Sequence, residues 1–125
     1  MKIVLTVAAI SGLLAVMLGA FGAHALKGII SPEMLEVYKT GIQYQFYHTF
    51  ALLSVGILMH FNQSKALTWS AYLFILGIIL FSGSLYVLAI SGIKALGIIT
   101  PFGGVTWMAA WILLILHSSK LTKTK

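Results

Sequence analysis

A chain of 125 residues that is 60% hydrophobic and only 8% charged lacks the polar surface of a soluble domain, which carries about 25% charged residues. Its mean hydropathy of +1.04 points the same way, so lipid is the solvent for most of its side chains. The absence of cysteine excludes disulfides, thiol catalysis and thiolate metal ligation, and the charge of +6 comes from eight lysines placed at segment ends, a poor pattern for a nucleic-acid partner.

Four apolar stretches follow in chain order, roughly Ile3 to Ala23, Ile42 to Phe61, Trp69 to Ser91 and Ile98 to His117. Each approaches the ~20 residues with which an α-helix crosses ~30 Å of hydrocarbon. None shows the alternation of a barrel strand. The connections are too short to fold alone, so residues 1–125 form a single four-span domain, an all-α integral membrane four-helix bundle.

Met1-Lys2 before the first stretch and Ala23-His24-Ala25 after it imitate a cleavable secretory signal. An apolar core of about twenty residues exceeds the usual ~7–15 of such a region, so span one is expected to stay. Within it Ser11, Ala15, Gly19 and Ala23 recur every four residues, with Ala8, Gly12 and Gly22 alongside. That is the small-residue pattern that lets membrane helices approach closely.

In the first connection Ser31-Pro32-Glu33 reads as N-cap, first helical position and acid near the positive helix end. Leu35, Tyr38, Ile42 and Gln45 continue at helical spacing, which predicts a short amphipathic helix between spans one and two, free to run straight into the latter. In span two Tyr38, Gln45, His48, Thr49 and Gly56 share one helical sector, turned inward by the cost of polar groups in lipid. This sector is either a small polar pocket or polar glue with a neutral His48.

In span three Ser70, Gly77, Ser84 and Ser91 fall seven apart and mark a seam; Gly103, Ala110 and His117 repeat the pattern in span four. Small-residue faces left exposed keep a homo-oligomer open. Trp69, Trp107, Trp111 and tyrosines near span ends are expected as interfacial anchors. Lys2, Lys65, Lys120, Lys123 and Lys125 gather on the side of the termini, against Lys27, Lys39 and Lys94 on the other. The excess predicts both termini in the cytoplasm.

Four histidines raise the question of haem. His24 and His48 lie toward the outer side, His60 and His117 toward the inner, but the twelve residues from His48 to His60 rotate them by about 120°, so both cannot face one axis. No cofactor and no metal are therefore expected. Glu33 and Glu36 both sit in the loop and no aspartate exists, which argues against proton-coupled export. No nucleophile–base–acid set or phosphate-cradling loop suggests an enzyme.

Several segments carry a resemblance: Gly19-Ala20-Phe21-Gly22-Ala23-His24-Ala25-Leu26, Tyr44-Gln45-Phe46-Tyr47-His48-Thr49, Phe81-Ser82-Gly83-Ser84-Leu85-Tyr86 and Ile99-Thr100-Pro101-Phe102-Gly103-Gly104. Together, in this order, they resemble the bacterial membrane family called domain of unknown function 423, itself similar to eukaryotic transmembrane protein 256. The resemblance implies a small four-span inner-membrane protein without an established activity. It names no catalytic residue.

In the predicted topology these segments cluster toward the outer side. His24, Tyr44, Gln45, His48, Ser84, Tyr86 and Thr100 are the candidates for one outward-facing polar pocket. Thr100-Pro101 is placed to cap span four and aim free N–H groups at an anion or lipid phosphate. The leading reading is binding of a small ligand or lipid headgroup in that pocket. The alternatives are a transporter or channel subunit acting as an oligomer, and a structural or partner-binding subunit with no pocket.

Overall fold

The computed structural model describes residues 1–121, without the side chains of Ala23 and Leu121, so the calls on Ala23, Lys123 and Lys125 lie outside the described residues. Four helices follow one another: α1 (Lys2–Leu26), α2 (Pro32–Phe61), α3 (Lys65–Ser91) and α4 (Ile99–Leu121). A short 3₁₀ turn, Lys94–Ile98, leads directly into α4. Among the described residues three helical runs, Lys2–Leu26, Lys65–Ser91 and Lys94–Lys120, are long and apolar enough to cross a membrane. The architecture is an all-α membrane four-helix bundle.

α2 is long enough too, at 30 residues, but it is the polar helix, with one face buried against the others and the opposite face, including Tyr47, Phe50 and Ile57, exposed. Its start follows from local chemistry. Ser31 accepts a hydrogen bond from the Met34 N–H at 3.1 Å, Pro32 fills the first turn and Glu33 lies at the positive end. The amphipathic segment and span two form one continuous helix: Glu36 and Lys39 pair at 3.6 Å on the exposed side, while Tyr38 is already buried. A tight turn with Gly28 at φ +84° joins α1 to α2, and Gly92 at φ +71° ends α3; both conformations suit glycine.

α1 runs antiparallel along α2. Ser11 meets Thr49, Gly19 faces Ile42, and Gly56 faces Leu5 and Val4. α3 and α4 form a second antiparallel pair. Thr100 meets Ser84, Gly103 abuts Phe81, Trp107 lies over Gly77, Ala110 accepts from Ser70, and His117 meets Ser64. The seven-residue seams predicted for spans three and four thus face each other, except that Ser91 is exposed. α2 also packs on the α3–α4 pair, and the main core gathers Ala51, Leu52 and Val55 with Val4, Ala8, Phe74, Trp107 and Ala110.

Two helices widen locally into π turns, α1 at Leu18–Gly22 and α3 at Ile78–Gly83. Such turns loosen the i→i−4 ladder and free backbone carbonyls. In α1 the Leu18 carbonyl accepts from the Tyr38 hydroxyl at 2.6 Å. Gly22 leaves the room that the Tyr38 ring tip occupies. Near the turn in α3, Ser82 donates to the Gly41 carbonyl of α2 at 2.7 Å.

The expectation for the tryptophans needs correction. Trp69 is exposed, but Trp107 is 3% exposed and belongs to the core. Gly77 opens a slot for its indole, whose N–H donates to the Phe74 carbonyl at 3.2 Å. Burial with a satisfied N–H removes the reason for the ring to seek the interface. His117 is buried on the seam, bonded through Nδ1 to Ser64 at 2.9 Å.

Candidate functional site

The candidate residues do not share one chamber. They fall into separate groups, each built between different helices.

Gln45 and Tyr86 form the first group. The Tyr86 hydroxyl donates to Gln45 Oε1 at 2.6 Å, and Gln45 Nε2 donates to the Ser11 carbonyl at 2.9 Å and to Ser11 Oγ at 3.3 Å. Ser11 Oγ and Thr49 Oγ1 lie 2.7 Å apart. One amide therefore ties α1, α2 and α3 together. Leaving it unsatisfied in hydrocarbon would be costly, which is why the polar sector of α2 turns inward. Ser11 completes the network and was legible in the sequence only as a packing residue.

His48 and Tyr44 form the second group. His48 Nδ1–H donates to the Tyr44 carbonyl at 2.8 Å, and its Nε2 accepts from the Trp111 indole N–H at 3.3 Å. Both ring nitrogens are thereby used by a neutral tautomer. The imidazole lies flat on Trp107, with centroids 3.6 Å apart and planes 1° apart. The Tyr44 ring packs on Phe81 at 5.0 Å and stays partly exposed. Trp107 and Trp111 are the partners that sequence spacing did not pair with His48, because they come from α4 across the bundle.

Ser84 and Thr100 form the third group. Ser84 donates to the Phe81 carbonyl at 2.8 Å and receives the Thr100 hydroxyl at 2.7 Å. Thr100 lies inside α4, which begins at Ile99, so it is not the N-cap expected for an anion seat. Its hydroxyl serves the α3–α4 seam instead.

His24 stands apart from all of these, on the exposed end of α1. It lines a surface cavity of about 300 Å³ together with Gly19, Lys27, Leu35 and Lys39. Two lysines, from the end of α1 and the start of α2, thus share one rim with a histidine. In the sequence Lys27 and Lys39 carry only a topology signal, since the tight turn that brings them together is a tertiary feature. Among the described residues no cluster of three or more His, Asp or Glu could hold a metal ion.

These features define a polytopic membrane protein with polar clamps inside and a cationic cavity at one surface. A family model, "Protein of unknown function (DUF423)", matches residues 18–104. The chain belongs to this family. It is similar to the UPF0382 membrane protein YwdK of Bacillus subtilis, 44% identical over 96% of this chain and 98% of that protein. A UPF0382 membrane protein of Staphylococcus aureus is also 44% identical over 96% of this chain and 98% of its own length. The inner membrane protein YgdD of Escherichia coli is 39% identical over 98% of this chain and 93% of its own. No solved structure matches.

Proposed function

We propose that the protein is a binding protein of the membrane, not an enzyme, and that it takes a phosphate-bearing lipid headgroup in the cavity between α1 and α2. One observation carries this reading: the ~300 Å³ cavity whose rim holds Lys27, Lys39 and His24 while Gly19 and Leu35 line it with apolar surface. Cations draw the phosphate, each lysine adding about 1 kcal/mol near an anionic surface. The apolar lining favours a lipid over a free anion, since it offers the glycerol and first methylenes somewhere to lie. Of the sequence candidates only His24 belongs to this site; Lys27 and Lys39 join it.

The lysine distribution supports placing both termini in the cytoplasm, which turns this cavity to the outer leaflet. A single cysteine at position 94 should then react with an impermeant label from outside intact cells. Labelling at position 65 instead would reverse the orientation. A homo-oligomer through small-residue faces draws less support, because Ser11, Ala15, Gly77 and Gly103 are buried within the chain.

The binding test is native mass spectrometry of the full chain titrated with phosphatidylglycerol, phosphatidylcholine or inorganic phosphate. Phosphatidylglycerol should bind most tightly, and the double variant Lys27→Gln/Lys39→Gln should lose about 2 kcal/mol, roughly thirtyfold. Equal binding by the wild type and the double variant would refute the headgroup site. Tight binding of phosphate alone would reassign it to a free anion.

A further inference from the structure

A second cavity lies on the lipid-facing flank of the bundle, away from the cationic one. It is a crevice of about 190 Å³ between α1 and α3, with Gln45 of α2 and Ser11 of α1 among its lining residues. Ile10 and Leu14 on one wall and Ile75 and Ile79 on the other make the rest predominantly aliphatic. Ile10, Leu14 and Ile79 are exposed, so the crevice opens sideways into lipid rather than toward water. Ile79 belongs to the π turn of α3, a local geometry frequent at functional sites.

The hydrogen-bond count on the floor is incomplete. Ser11 and Thr49 together carry two hydroxyl protons, and the 2.7 Å bond between them uses one. Gln45 Nε2 is itself a donor to Ser11, so it cannot accept the other. Elsewhere the hydroxyls of Thr6, Thr40, Ser54 and Thr106 donate to the carbonyl four residues back. Ser11 and Thr49 have no such bond among the described residues. The Ser84–Thr100 pair makes the contrast clear: there Ser84 donates to Phe81 and Thr100 donates to Ser84, so both protons have acceptors.

Either hydroxyl can donate in that bond, and in either direction one proton is left over: Thr49's when Ser11 donates, and, when Thr49 donates and the Ser11 oxygen accepts from Thr49 and Gln45, that of Ser11, which lines the crevice. Ser11 is 7% exposed, Gln45 4% and Thr49 5%, and hydrocarbon supplies no water to take that proton. An acceptor for the Ser11 proton would have to reach mid-bilayer depth, where glycerolipid ester carbonyls do not lie. A cavity of about 150 Å³ with aliphatic walls accommodates a benzene ring, so this one suits a single substituted ring.

We propose that the α1–α3 crevice is a binding site for a neutral, membrane-soluble ring compound bearing a carbonyl acceptor, of the quinone class. The ring lies between the isoleucine walls and the carbonyl accepts from the Ser11 hydroxyl. No electron transfer is part of this assignment.

The test compares tetramethylbenzoquinone with tetramethylbenzene, the same ring without carbonyls. Each is titrated against the full chain in nanodiscs while helix melting is followed. The quinone should raise the melting temperature saturably and bind on the order of tenfold more tightly than the hydrocarbon, as expected for one added hydrogen bond. Ser11→Ala should keep its helix content and bind the two compounds alike. Ile79→Trp, which fills the crevice from its exposed rim, should bind neither. Equal affinity of the wild type for both compounds, or saturable quinone binding retained by Ile79→Trp, would overturn the proposal; the second readout stands even if Ser11→Ala does not fold.

Discussion

The two antiparallel pairs of this bundle are closed by different means. Between α3 and α4 the approach at Gly103 is backbone to backbone, where an added Cβ would lie 2.5 Å from the Phe81 nitrogen, while Gly77 of the same seam takes the Trp107 indole. Between α1 and α2 the glycines face side chains instead. A Cβ at Gly12 would meet only the Thr49 methyl at 3.7 Å, and one at Gly19 the Ile42 side chain at 3.5 Å. The difference has a consequence for function. A seam closed by main chain leaves no adjustable volume, whereas one held by hydroxyls and an amide exposes polar atoms along its edge. Both cavities discussed above border α1, not the α3–α4 seam.

Alanine at the two kinds of glycine should separate these seams most strongly. Gly103→Ala forces main chain apart and should cost about 1–3 kcal/mol. Gly12→Ala fits an ordinary contact and should gain roughly 0.5–1 kcal/mol from helix propensity. Melting of the purified variants in one detergent reads both, and effects of the same sign would break the comparison. The next largest effect is Gln45→Leu, which strips the acceptor from Tyr86 and the donor from Ser11. A loss of about 1–2 kcal/mol is expected, near the upper end for membrane hydrogen bonds. An unchanged melting temperature would mean that the amide is not a clamp.

His48→Ala should follow at about 1 kcal/mol, through the lost stack on Trp107 and an orphaned Trp111 N–H. The variant should still insert, and near-ultraviolet circular dichroism of the indoles should change; an unaltered signal would contradict the stacking. The smallest effect belongs to Ser70→Ala. Its bond to the Ala110 carbonyl, 2.8 Å long, adds to a seam already closed by packing. About 0.6 kcal/mol is expected. A loss as large as that of Gln45→Leu would show that hydroxyls hold the α3–α4 seam as well, and the contrast would have to be dropped.

The clamp residues were easier to anticipate than the cavities. Gln45, His48 and Thr49 share a sector of one helix, so their burial could be read from spacing and the cost of polar groups in lipid. The Ser70–Gly77–Ser84 and Gly103–Ala110–His117 series announced their seam in the same way. The single pocket expected to unite His24 with His48 does not form, because proximity in depth says nothing about azimuth around the bundle. His24 faces the surface with Lys27 and Lys39, while His48 faces α4.

Composition determined the solvent, and the length and spacing of the apolar stretches determined the secondary structure and the number of helices, because a span needs about 20 consecutive apolar residues. Helical periodicity determined which face of α2 is buried. Only the tertiary structure decided what each buried group meets. Trp107 enters the core because Gly77 of another helix yields space, and Ser11 meets Thr49 because two helices cross at that height. Such facts depend on the rotation and register of one helix against another, set by side-chain packing across residues far apart in the chain.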